Sequence, residues 1–167
     1  MNGTKPEGPA ADAATVVIDH PEGQIEVPAS SVVRLNAPLY GFPGRFEYAL
    51  IPAARQGLWW FISVDQPTAT FVLADPFRAK PGFTVDLTEA DSHALDVTMP
   101  EDALILVLVT LPLASGTPAT ANFRAPLVLN LRARRAAQTI SLDESARLQE
   151  PIDLASFTEL SGAFSFL

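Results

Sequence analysis

Short apolar stretches separated by turns rich in proline and glycine set the pattern of this chain. Alternation and β-forming residues predict strands over residues 15–18, 24–27, 32–35, 46–51, 58–64, 70–73, 83–87, 94–99, 103–110, 119–123, 127–131 and 138–142. Turn chemistry falls between them at Pro21-Glu22-Gly23, Pro43-Gly44, Gln56-Gly57, Pro81-Gly82, Pro100-Glu101-Asp102 and Ser115-Gly116-Thr117-Pro118. Many short strands at such spacing predict a mostly β chain, a single compact antiparallel β-barrel-like domain with one or two short helices. Helix signals are confined to Thr88-Glu89-Ala90-Asp91, an N-cap followed by acids, and to a brief stretch over residues 141–148. The most apolar run, residues 103–111, is well short of the ~18 residues of a membrane helix and reads as a central strand covered on both faces.

Length and composition fill in this outline. A chain of 167 residues favours one domain, and 15 prolines argue against long helices. Without cysteine there is no disulfide framework and no thiolate metal site, which fits a cytoplasmic protein. Residues 1–14 have no apolar signal region and read as a disordered leader, followed by a β domain over 15–153. Residues 154–167 form an apolar C-terminal tail: Leu154, Phe157, Leu160 and Phe164 recur at near-helical spacing, with Phe166 and Leu167 beyond. Such a stripe is expected to be covered, either by its own barrel or by a partner or second copy.

Charge is unevenly placed. The formal net charge is -8, and no Lys or Arg occurs between Pro81 and Phe123, where Asp86, Glu89, Asp91, Asp96, Glu101 and Asp102 lie. This interval reads either as a solvated face or as a surface for a basic protein, and it argues against direct nucleic-acid binding. The cluster Arg132, Arg134 and Arg135 is too small to reverse that. Catalytic groups do not converge. His20 and His93 read as surface residues, no Gly-x-Ser-x-Gly elbow or phosphate loop occurs, and Asp65, Asp75 and Asp86 lack calcium-loop spacing. The expectation is a protein without catalytic residues, metal or cofactor, and without a membrane span.

The stretch Ala121-Asn122-Phe123-Arg124-Ala125-Pro126-Leu127-Val128-Leu129-Asn130 is the most specific. Pro126 marks a strand start, and Leu127-Val128-Leu129 a short buried strand. This segment resembles the Ala-Asn-Leu-x-Ala-Pro-(Ile/Leu)-Val-(Ile/Leu)-Asn signature of the FliW family of flagellar assembly factors. Gly41-Phe42-Pro43-Gly44 with Phe46-Glu47, the aromatic strand Leu58-Trp59-Trp60-Phe61-Ile62-Ser63, Phe71-Val72-Leu73-Ala74-Asp75-Pro76-Phe77 and Arg134-Arg135-Ala136-Ala137-Gln138-Thr139-Ile140 resemble further family elements in the same order. The resemblance runs from about Val16 to Asp153. Two departures, the inserted Arg45 and Ile62 where the family usually has Gln, bear on local partner contacts rather than on the fold.

The resemblance implies a compact β-barrel that binds two proteins, the RNA-binding translational repressor CsrA and flagellin. Flagellin held in the cell would occupy the factor and leave CsrA active; exported flagellin would free it to antagonise CsrA. Two other readings stand beside this one, a β-barrel enclosing a small apolar ligand and a hydrolase with an unrecognised site. The candidate partner-binding residues are Trp59, Asp75, Pro76, Phe77, Asn122, Arg124, Pro126 and Asn130. Each also has a structural reading. Asp75-Pro76 is a natural turn start, Asn122 and Asn130 suit backbone bonding, and of Trp59 and Trp60 one is expected in the core and the other exposed as an anchor.

Overall fold

The computed structural model describes residues 14–66 and 68–158. A hairpin of β1 (Thr15–His20) and β2 (Gly23–Pro28) precedes the main sheet. Antiparallel pairing then runs from β3 (Val32–Leu35) through β4 (Glu47–Pro52), β5 (Leu58–Ser63) and β6 (Thr70–Ala74) to β7 (Leu104–Thr110). Short β8 (Ala119–Ala121) lies outside the ring of strands. The first residues of β7 pair with β9 (Leu127–Asn130), β9 pairs with β10 (Arg135–Gln138), and β10 returns to β3.

Seven strands therefore close into a barrel, as expected from the pattern, and closure removes their free edges. One seam departs from antiparallel order: Arg135 stands opposite Arg34, and Ala136 opposite Leu35, in parallel. The end of β7 splays away from β9, where Val109 and Thr110 pair with β8, and β8 pairs in turn with β11 (Glu150–Ile152). Pro151 at the centre of β11 suits an outer strand, because it has no N–H to donate to a further neighbour.

The period-2 pattern separates two faces of the wall. Tyr48, Leu50, Phe61, Leu73, Leu106, Leu127 and Leu129 turn inward and are buried, with the Tyr48 and Phe61 rings stacked 4.4 Å apart. The interior is thus filled by the protein's own side chains. Outside the wall, Ile18 and Val27 of the hairpin cover Ala49 and Ile62. A second outer layer joins Leu58, Ala74 and Val107 to Ala121, Phe123, Ile152 and Phe157. Each fully buried Leu or Phe contributes roughly 1.5–3 kcal/mol, so the outer layers matter as well as the lumen.

Because β5 is covered on both sides, the expected contrast between the tryptophans is replaced by equal partial burial. Trp59 packs on the interior cluster and Trp60 on both outer ones. Ile62, one of the two departures noted in the sequence, is buried beneath the hairpin. The other, Arg45, lies over the Phe42 ring at 5.9 Å.

Among the described residues two short α-helices occur, α1 (Pro76–Ala79) and α2 (Glu89–Ala94). The predicted strands 83–87 and 94–99 do not form. They belong instead to a long connection, residues 75–103, that carries both helices. Thr88 caps α2 by accepting from the Asp91 N–H, and Asp96 at φ 55 turns the chain left-handed just after it. The strand expected at 138–142 lies earlier, at β10, and no helix forms over 141–148, where Asp143 instead accepts from Ser145. Of the tail, Leu154–Ser156 makes a 3-10 turn and Phe157 is buried. Its later residues, and the expected leader up to residue 13, lie outside the described residues. Among the described residues no helix is long and apolar enough to cross a membrane.

Candidate functional site: an apolar groove at one barrel mouth

One mouth of the barrel is formed where β5 and β7 begin and β6 and β9 end, since Leu58 pairs with Ala74 and Leu104 with Leu129. The connection 75–103 leaves β6 at this mouth and returns to β7 there, so it lies over the opening. Both of its ends are fixed by side chains. Asp75 caps α1, its Oδ1 accepting from the Phe77 N–H at 2.9 Å, and Pro76 occupies the first turn, where a missing N–H costs nothing. Asn130, fully buried at the end of β9, donates from Nδ2 to the carbonyls of Leu95 and Asp96 at 3.0 and 2.9 Å. Its Oδ1 accepts from the Ala133 N–H at 3.1 Å, so both halves of the amide are used.

Nearer β7, Asp102 closes a small loop. Its Oδ2 accepts from the Thr98 N–H, the Thr98 hydroxyl and the Met99 N–H, while Arg132 pairs with Oδ1 at 3.2 Å. These bonds, those from Thr98 foremost, hold the Asp102 carboxyl below its ordinary range.

Between this held connection and the barrel lies an open groove with a cavity of about 590 Å³. Trp59, Phe77, Val85, Leu87, Val97 and Met99 are among its apolar lining, and Asp75, Ser92 and Thr98 are its polar points. Phe77 is 50% and Met99 54% exposed, and both open onto this one groove. Asp86, Glu89, Asp96 and Glu101 are exposed on the same connection, each within a few residues of a lining residue. The arrangement can accept apolar side chains, and the connection that lines it is acidic.

The sequence candidates divide in two. Trp59, Asp75 and Phe77 come together in the groove, with Pro76 buried beneath. Asn122, Arg124, Pro126 and Asn130 do not join them and serve the fold. The Asn122 Oδ1 accepts from the Ala125 N–H at 2.9 Å, Arg124 donates to the Asp143 carbonyl at 3.0 Å, and Pro126 is buried. Sequence reasoning missed Val85, Leu87, Val97 and Met99. They carry a signal in the sequence, apolar residues alternating with Thr and Asp, which is equally the pattern of a strand.

The Arg cluster is engaged locally. Besides Arg132 on Asp102, Arg134 donates to the Ala29 carbonyl and Arg135 to the Ala94 carbonyl, each at 3.2 Å. Arg135 and Arg34 flank a second, smaller cleft of about 410 Å³ with Phe46. The two histidines lie apart, His20 beside Thr70 at 3.3 Å and His93 exposed on α2. Among the described residues no group of three or more His, Cys, Asp or Glu could hold a metal ion.

Comparison with known proteins agrees with the geometry. Residues 17–152 match the family model of the FliW protein. The flagellar assembly factor FliW of Treponema pallidum is 34% identical over 116 residues, covering 70% of this chain and 77% of that protein. That of Treponema denticola is 31% identical over 121 residues, with 72% and 82% covered. The FliW of Bdellovibrio bacteriovorus is 31% identical over 139 residues, with 83% and 77% covered. A crystal structure of the flagellar assembly factor FliW matches with a TM-score of 0.69 at 25% identity, over 83% of this chain and 96% of that one. With a family model matching residues 17–152 and relatives above 30% identity that cover 70–72% of the chain, this chain belongs to the FliW family of flagellar assembly factors.

Proposed function

We propose that this protein is a flagellar assembly factor that acts by binding proteins and catalyses no reaction. In this reading it works in the cytoplasm, antagonises the translational regulator CsrA, binds flagellin, and so couples the level of flagellin to its translation. The observation that carries the reading is the groove, where Phe77 and Met99 stand half exposed in an apolar cleft lined by a connection that also carries four exposed acids. An RNA-binding partner is basic and would be drawn to those acids, while apolar side chains would supply the bound contact. One groove serving both partners makes their binding mutually exclusive, which a switch between them requires.

A barrel that encloses a small ligand is the weaker reading, because the interior is packed with Tyr48, Phe61, Leu73, Leu106 and their neighbours. The test is a calorimetric titration of this protein with the CsrA and the flagellin of the same organism, alone and in competition. Binding of each, with either one displacing the other, supports the proposal. Failure of both to bind, or formation of a ternary complex, counts against it.

A further inference from the structure

We propose that Arg34 and Arg135 form a receptor for one oxyanion, a carboxylate or a phosphate carried by a small molecule, in the cleft they flank at the β3–β10 seam. This cleft shares no lining residue with the groove, so the inference does not rest on the groove being a partner site.

The seam sets the geometry. Arg135 is registered opposite Arg34, and the next pair, Ala136 and Leu35, is buried in the lumen. Alternation therefore turns both arginines outward, on strands roughly 4.8 Å apart, and both are exposed. Like charges facing each other across a strand pair are destabilising. The next strand gives little relief. Glu47 stands opposite Arg34 in β4, but its carboxylate is 4.0 Å from the guanidinium, beyond hydrogen-bond length, with both side chains well exposed. Two guanidiniums against one carboxylate leave this row of the sheet positive.

Neutral groups hold both guanidiniums in place. The Arg34 Cζ lies over the Phe46 ring, 5.2 Å from its centroid, and Arg135 uses one of its N–H donors on the Ala94 carbonyl at 3.2 Å. The cleft of about 410 Å³ that they flank with Asn36 and Phe46 is within the size range of small-ligand sites. The donors of two planar forks suit the paired oxygens of a carboxylate or a phosphate, and the Asn36 amide can donate beside them. An anion there turns one repulsion into two attractions. The ligand is a compact one, because a net charge of -8 repels a polyanion, whereas a group of one or two charges matches the row.

The test is an NMR titration of the full-length protein with inorganic phosphate, succinate and chloride at one ionic strength and pH. The arginine Nε–H signals of Arg34 and Arg135, assigned with Arg34→Gln and Arg135→Gln, should move together and saturate with phosphate, succinate or both, and not with chloride. Saturation by phosphate alone gives a phosphorylated molecule as the source, and by succinate alone a carboxylate. Either single variant should weaken binding about tenfold or more. No saturation by either oxyanion, or saturation that survives in the doubly substituted chain, overturns the proposal. A second measurement separates a receptor from a structural pair. Arg34→Gln should leave the urea midpoint unchanged or raised in chloride, where a repulsion is removed, and lowered relative to the parent in the oxyanion that saturates. A midpoint lowered equally in both media overturns the proposal, because Arg34 then serves the fold alone. Neither measurement uses a protein partner, so failure here is distinct from failure of the proposed function.

Discussion

The Asn130 amide donates to the Leu95 carbonyl at 3.0 Å, and this bond fastens the far side of the groove to the barrel wall. Leu95 is itself fully buried, and the second bond, to Asp96, holds the left-handed turn that aims Val97 and Met99 at the cleft. Truncating Asn130 leaves two carbonyls and the Ala133 N–H without their partner at a buried to part-buried position. Asn130→Ala is expected to cost about 3 kcal/mol of stability, measured by urea denaturation, and Asn130→Asp more, since a carboxylate would face two carbonyls. A cost below about 1 kcal/mol would show that water replaces the amide and that the connection is held elsewhere.

Adjacent residues on β7 should be equally intolerant of charge. Leu106 faces the lumen and Val107 the outer layer, and both are fully buried. Leu106→Asp and Val107→Asp should each prevent folding, as an unpaired carboxylate in a core exceeds the whole stability of a marginal domain. Circular dichroism of the two variants decides it; a folded Val107→Asp chain would mean that the outer layer is not a true second core.

Much of this arrangement could be read from the sequence because period-2 alternation is local. Residues 32–35, 58–63 and 104–110 carry their inward and outward sets in the chain itself, and Asp75-Pro76 announces its own cap. The β3–β10 seam left no such signal, since Arg34 and Arg135 meet through closure of the ring and not through any turn. Residues 83–87 and 94–99 misled for a physical reason. Alternating apolar and polar positions suit a strand with one buried face, and equally suit an irregular segment with one side toward a groove. Asn122 and Asn130 close similar motifs yet differ in burial, which depends on whether the 75–103 connection lies overhead.

The loop around Asp102 should report its own bonds on acidification. Its carboxyl is held below the ordinary value of 3.8 by Thr98, by Met99 and by Arg132. A depressed folded-state pKa gives stability that is present above the unfolded value and lost as pH falls through the folded one. An NMR titration should show Asp102 protonating below pH 3.8, with the Thr98 and Met99 amide signals moving in the same step. Asp102→Asn should remove that step and leave the protein less stable at pH 7 than the parent. An ordinary midpoint for Asp102 would mean that the loop bonds are not kept in solution.

The acidic interval is expected to act on approach and on bound RNA more than on the contact itself. Neutralising Asp86, Glu89, Asp96 and Glu101 to amides should slow association with CsrA and weaken displacement of its RNA. Both effects should fade at high salt, because a field extending about 8 Å at physiological ionic strength is then screened. Stopped-flow and RNA-displacement titrations at two salt concentrations measure this. No change at either salt level would reduce the interval to a solvated face.

The groove is tested most directly by charging its exposed floor and weighing the loss against a distant control. Phe77→Asp and Met99→Asp are titrated with CsrA and with flagellin beside Leu113→Asp, which is fully exposed in the β7–β8 connection at the opposite mouth. All three sites are exposed, so each variant should unfold near the parent temperature. The expected result is a loss of about 2 kcal/mol or more, roughly thirtyfold in affinity, for Phe77→Asp and Met99→Asp with both partners, and none for Leu113→Asp. Folded Phe77→Asp and Met99→Asp chains that bind both partners as tightly as the parent would contradict the groove as the site.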